Sequence, residues 1–243
     1  MRILLASASS RRRSWLEAQP WVWPHDISVV PLNVDESRVM DMSDVSNTVR
    51  NVVGLKIESA RVLLNDCKDD WVGIVSDTMV ESPVSKLPMG KAGDSKEARE
   101  MLSALSGKKH RVWTSTGILL PYDQLGAVYT EYAEVYFEYL DRKTMDELIE
   151  SGSWLGKAGS YDIHGEASNL VKVVKGSEVT VLGFSENGMI ALRKILGKIS
   201  LLAQTNVTFP CFRTNSLCIS LNHSSIPLWK RTRLIPGSAS KSS

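Results

Sequence analysis

The run Ile3-Leu4-Leu5-Ala6-Ser7-Ala8-Ser9-Ser10-Arg11-Arg12-Arg13 constrains the chain more than any other stretch. A short apolar strand passes through small residues straight into a cluster of guanidinium groups. That order builds a cradle for a polyphosphate. Small side chains let the backbone approach an anion, the N–H groups of a starting helix point at it, and arginine supplies forked donors that match phosphate oxygens. Taken alone, the same run also suits a solvated basic face or a nucleic-acid patch.

Strand and helix signals alternate behind it, which predicts an α/β layered fold. Residues 2–6 read as a strand, 10–18 as a helix and 27–31 as a second strand entering a polar loop. A long helix covers about 44–65, and the apolar run Trp71 to Ser76 forms a strand bounded by polar residues. Asp94-Ser95-Lys96-Glu97 resembles a capping box ahead of a helix that ends at Ser106-Gly107. Residues 109–120 and 127–140 read as two long strands joined near Asp123 to Gly126, because β-branched and aromatic side chains dominate both. A helix near 143–151, a strand near 168–174 and a helix over about 187–197 close the body. From Ile199 the periodicity stops, and residues 198–243 read as a basic, Ser-rich, poorly ordered tail behind a domain of residues 1–197.

The net charge of +2 hides an asymmetry. Eight of the 29 basic residues follow Asn187 with no acid among them, leaving 21 against 27 acids upstream, a net of −6. An acidic body argues against a nucleic-acid-coating protein, so the local arginines serve a local anion. The three cysteines, Cys67, Cys211 and Cys218, include no C-x-x-C pair, which fits a reducing compartment rather than a disulfide framework or zinc site. No stretch approaches the roughly 20 apolar residues of a membrane span. A cytoplasmic protein with no membrane partner is the expectation.

Several residues could carry chemistry. On the long helix, Lys56 falls about −20° from Val49, in the middle of the stripe formed by Val49, Val53, Ala60, Leu63 and Leu64. It either snorkels past a rim or meets an anionic ligand, because a buried charge without a partner is costly. Asp77 stands at the carboxyl end of the strand ending at Ser76, the edge where open α/β sheets bind ligands, although a turn aspartate has the same appearance. Asp35-Glu36 is either solvated surface or a carboxylate pair for a hard divalent cation. Lys91 after Gly90 could reach a phosphate as a point charge or sit in a surface turn. His164, in the glycine-punctuated loop Lys157 to Gly165, is either a reader of a base edge or a plain loop histidine.

Together these residues resemble the Maf family of nucleotide pyrophosphatases. The resemblance runs in order over about residues 2–197: Ser7-x-Ser9-x-Arg11-Arg12, Asp35-Glu36, Lys56, Ser76-Asp77-Thr78, Gly90-Lys91, Leu105-Ser106-Gly107 with His110, and Lys157-Ala158-Gly159-x-Tyr161-x-Ile163-x-Gly165. It implies a mixed, twisted α/β sheet with flanking helices, in two lobes around a nucleotide cleft. It further implies hydrolysis of a nucleoside triphosphate to monophosphate and pyrophosphate with a divalent cation, Mg²⁺ or Mn²⁺, and leaves a homodimer open. Asp77 matches the family's proton acceptor, and Glu36, with Asp77, its metal-holding acids. Lys56, Lys91, Arg12 and the Ser7–Ser9 loop match phosphate-contacting positions, and Arg11, Thr78 and His164 those that set base preference. Arg11 and Thr78 side with the branch acting on dTTP and UTP. The chain departs from that branch where Tyr-Gly-Ile-Gln-Gly reads Tyr161-Asp162-Ile163-His164-Gly165, where the usual proline is Ser10, and where Gly-Lys-Pro reads Gly90-Lys91-Ala92. Two rival readings are a non-catalytic nucleotide sensor or division regulator with a basic docking tail, and a pyrophosphatase for modified purine nucleotides.

Overall fold

Strand β1 (Arg2–Ala6) pairs in parallel with β2 (Asp26–Val29) on one side and with β3 (Trp71–Glu81) on the other. The computed structural model describes residues 1–39, 43–64, 70–121 and 124–204. All three cysteines and the tail from residue 205 onward lie outside the described residues. Beyond β3 the direction reverses. β5 (Lys109–Leu120), β6 (Gln124–Phe137) and β7 (Val171–Lys175) add antiparallel to one another, and the short β4 (Pro88–Met89) pairs with the far end of β3. The result is a seven-stranded mixed sheet in the order β2-β1-β3-β5-β6-β7, with β4 on β3.

Alternation along the buried strands sends successive side chains to opposite faces, and each face has its own helical cover. Leu4, Ala6, Val75 and Leu119 pack with Val53, Ile57, Ala60 and Leu64 of helix α2 (Val45–Leu64). Ile3, Leu5, Val72, Ile74 and Ile118 face the other way, onto Leu16 of α1 (Ser10–Glu17) and Met189, Leu192 and Leu196 of the C-terminal helix that begins at Glu186. Each such side chain stabilises the fold by about 1.5–3 kcal/mol when removed from water. A third cluster occupies the other end of the long strands. There Val80, Val112, Val135 and Phe137 pack against Leu102 and Leu105 of α3 (Ser95–Leu105) and Met145 and Leu148 of α4 (Arg142–Glu150). The long strands β3, β5 and β6 thus carry a core at each end.

The expected elements form, with three differences. The strand expected to stop at Ser76 runs on to Glu81, so Asp77 lies inside β3 rather than at its carboxyl end. The extension is held by antiparallel pairing to β5, from Asp77 opposite Ser115 to Glu81 opposite Arg111. Leu63 is half exposed rather than part of the buried α2 stripe, which also includes Val45, Val52 and Ile57. The last helix runs from Glu186 to Gln204 rather than stopping at residue 197. The sequence signals also miss α5 (Glu178–Leu182), which precedes this α6 (Glu186–Gln204).

Candidate active site

The cleft arises from a gap in the sheet. β3 is paired with β1 at Trp71–Val75 and with β4 at Val80–Glu81. Between those pairings β1 has ended and the chain has turned away through Ser7, Ala8 and Ser9 into α1. Residues Ser76, Asp77 and Thr78 line a cavity of about 440 Å³ at that break, within the size range of small-molecule sites. The small residues Ala6 to Ser10 form one wall, with Arg11, Arg12, Glu36, Lys56, Lys91 and Lys157 contributing the charges.

Lys56 connects the acids. Its Nζ lies 2.6 Å from Asp77 Oδ1 and 2.7 Å from Glu36 Oε1. α2 sets the lysine within its buried stripe, β3 supplies the aspartate, and a 3₁₀ turn over Glu36–Val39 supplies the glutamate. Asp77 is 8% exposed, and burial raises its carboxyl above the ordinary carboxylate value. Lys56 and Arg12 oppose that rise, and the like charge of Glu36 adds to it.

Arg12 is fixed on three sides. Its Nε donates to the Gly183 carbonyl at 2.8 Å, Nη1 to Ser7 Oγ at 3.2 Å and Nη2 to Thr78 Oγ1 at 2.9 Å. The hydroxyls behind it form a directed chain: Thr114 Oγ1 donates to the Thr180 carbonyl at 2.7 Å, which leaves its oxygen to accept from Thr78 at 2.9 Å. Thr78 can then accept from Arg12. Gly183 caps α5 with φ +116°, and a Cβ there would stand 2.6 Å from Arg12 Nε. Burial lowers the guanidinium's affinity for its proton while Asp77 restores part of it, and an arginine remains charged under such opposing effects.

Arg11 faces the other wall. Its Nη1 lies 3.7 Å from Asp162 Oδ1, and Lys157 Nζ lies 3.9 Å from Asp162 Oδ2. Lys91 reaches the cleft from an isolated bridge to Ala158, which ties the Gly90-Lys91 turn to the Lys157–Gly165 loop. The fold therefore brings together Ser7, Ser9, Arg11, Arg12, Glu36, Lys56, Asp77, Thr78 and Lys91. His164 is placed apart: it is half exposed, its Nε2 contacts Glu178 Oε1, and it is not among the residues lining the cavity. The residues of that loop that do face the cleft are Lys157, Ala158, Tyr161, Asp162 and Ile163.

Sequence reasoning named His110 and Tyr161 only as parts of motifs. The two form a buried brace, with His110 Nε2 2.8 Å from Tyr161 Oη and the rings edge-to-face at 5.5 Å. Burial drives the imidazole down to about 4, so it is neutral, and raises the phenol so that it keeps its proton. Phe137 also packs edge-to-face with Tyr161, at 5.3 Å, so the aromatic wall of the cleft is built from the core. A buried His–Tyr contact between residues so far apart in sequence has no local signal.

Fold and cleft define an α/β protein with a charged cleft at a break in its mixed sheet. The chain matches the family model described as Maf-like protein over residues 2–198, and it belongs to that family. It is similar to a dTTP/UTP pyrophosphatase of Clostridium acetobutylicum, 34% identical over 191 residues, covering 77% of this chain and 94% of the relative. A dTTP/UTP pyrophosphatase of Pyrococcus horikoshii is also 34% identical, over 197 residues, 80% of this chain and 97% of the relative. Among solved structures, the Ham1 protein of Staphylococcus aureus overlaps 82% of this chain and 98% of its own, at 13% identity and a TM-score of 0.42. The fold described above rests on the strand order, not on that distant likeness.

Proposed function

We propose that the protein hydrolyses nucleoside triphosphates to monophosphates and pyrophosphate, with dTTP and UTP as substrates. One observation carries the reading: a single lysine holds two carboxylates together in a cleft walled by arginines and a small-residue loop. Family membership and the two relatives support the same activity.

Phosphoryl chemistry asks little of a protein beyond positioning and charge neutralisation. The Ser7–Ser9 loop, Arg12, Lys56 and Lys91 bind the polyphosphate, and Asp77 takes the proton of the water that attacks the α-phosphorus. A buried carboxyl with a raised proton affinity is a better base near neutral pH than an exposed one. Lys56 neutralises Asp77 across their 2.6 Å contact. When phosphate oxygens arrive, the flexible ammonium turns to them and frees the carboxylate for the water.

The donor set fits a divalent cation. Glu36 and Asp77 each have a second oxygen beyond the one paired with Lys56, and Mg²⁺ binds through one or two carboxylates plus substrate phosphates. No cluster of three or more His, Cys, Asp or Glu capable of holding an ion alone exists among the described residues, so these two acids would hold it jointly with the substrate. It would add positive charge against the departing pyrophosphate.

The test is release of pyrophosphate from a panel of triphosphates with Mg²⁺ or Mn²⁺. Pyrophosphate from UTP and dTTP ahead of the purine nucleotides is expected. Release of orthophosphate instead, or no turnover of any triphosphate, contradicts the reading.

A further inference from the structure

The geometry points to Asp162, flanked by Arg11 and Lys157, as the element that reads the base, by accepting a hydrogen bond from the ring N–H of a uracil or thymine. This inference rests on the function proposed above and deepens it.

Three observations carry it. First, the charges in the cleft form two groups. Lys56 pairs closely with Glu36 and Asp77, whereas Arg11 and Lys157 stand on either side of Asp162. Glu36 and Asp77 are each neutralised by Lys56 at hydrogen-bond distance, whereas Asp162 has no such close cation, so its charge is better placed beside the uncharged end of the ligand than beside its phosphates. Second, the order of groups is donor, acceptor, donor: Arg11 Nη1 at 3.7 Å on one side of the carboxylate and Lys157 Nζ at 3.9 Å on the other. Both distances exceed a hydrogen bond, so the cations screen the acid without consuming its lone pairs. Third, the loop fixes the carboxylate. Asp162 Oδ1 accepts from the His164 backbone N–H at 3.1 Å, which leaves Oδ2 facing Lys157 Nζ at 3.9 Å and without a hydrogen bond among the described residues.

An imide edge offers acceptor, donor, acceptor, namely a carbonyl, the ring N–H and a second carbonyl. It is the complement of Arg11, Asp162 and Lys157. Cytosine offers an amino donor, a bare ring nitrogen and one carbonyl, so its ring nitrogen would meet the carboxylate lone pair to lone pair. A site built around a hydrogen bond discriminates strongly because the wrong partner leaves a polar group unpaired. His164 takes no part, since its ring is turned to Glu178.

Asp162→Asn tests this with little disturbance, because the amide keeps one oxygen for the His164 N–H and replaces the other with a donor. The kcat/KM ratio of UTP to CTP should fall about tenfold or more relative to the parent protein. Calorimetric titration with UMP and CMP should show the same narrowing, independent of turnover. An unchanged ratio in both measurements overturns the inference, as does an equal loss for the two bases, which would assign Asp162 to the sugar or to loop structure. If no triphosphate is turned over yet UMP outbinds CMP and Asp162→Asn erases the difference, the function above fails and the base reading stands. Binding of neither nucleotide contradicts both.

Discussion

At the residue scale the account turns on Lys56. A lysine in an apolar helical stripe is visible in the sequence because its charge breaks the pattern, and the structure supplies its partners, Glu36 and Asp77. Those partners come from a 3₁₀ turn and a strand interior, so their meeting could not be read from spacing. If Lys56 lowers the proton affinity of Asp77, Lys56→Met removes that pull and leaves Arg12 alone against burial and the like charge of Glu36. The direction follows: the carboxyl titrates higher, and the acid limb of the kcat/KM profile moves to higher pH, on top of a lower maximum rate. A pH–rate profile of the variant checks this, and an acid limb that stays in place contradicts it. His164 shows the opposite lesson. Its place in the motif suggested a base reader, yet an exposed imidazole beside Glu178 finds a carboxylate outside the cleft.

At the scale of elements, the break in β3's pairing creates the site. The polar run Ser76-Asp77-Thr78 reads as a strand end in sequence because polar residues usually end buried strands. Here the strand continues, since β5 satisfies its backbone on one side while the other side opens to the cleft. The main strands and helices were legible from apolar runs and caps such as Asp94, whose carboxylate accepts from Glu97 N–H at 2.8 Å. α5 was not. Its five residues, Glu178–Leu182, are too few for a helical period, and three of them are β-branched. Its cap nevertheless anchors Arg12, through a glycine that tolerates φ +116° and the approach of the guanidinium. Gly183→Ala should therefore cost about 1–3 kcal/mol of stability from backbone strain. By displacing Arg12 it should also raise KM for the nucleotide. Thermal unfolding and steady-state kinetics measure the two effects, and a variant with unchanged KM would detach Arg12 from substrate binding.

At the scale of the whole molecule, the described domain closes on itself. Leu192 and Leu196 of α6 are buried in the sheet's core, and the helix runs on to Gln204. Sequence periodicity placed the end near residue 197 because the amphipathic signal fades before the helix does. A protein of residues 1–204 should match the full chain in melting temperature and kcat/KM, whereas a cut at residue 197, one residue after the buried Leu196, truncates α6 and should lower both. Loss of activity in the 1–204 form would assign a catalytic or folding role to residues 205–243.

The central claim is that Asp77 serves as the base for attack on a phosphoanhydride. Its most direct test is Asp77→Asn, assayed for pyrophosphate release from UTP and, in parallel, for UTP binding by calorimetry. Loss of a positioned base should slow turnover by about 10²–10⁴-fold while the nucleotide still binds. Turnover at the parent rate would contradict the account.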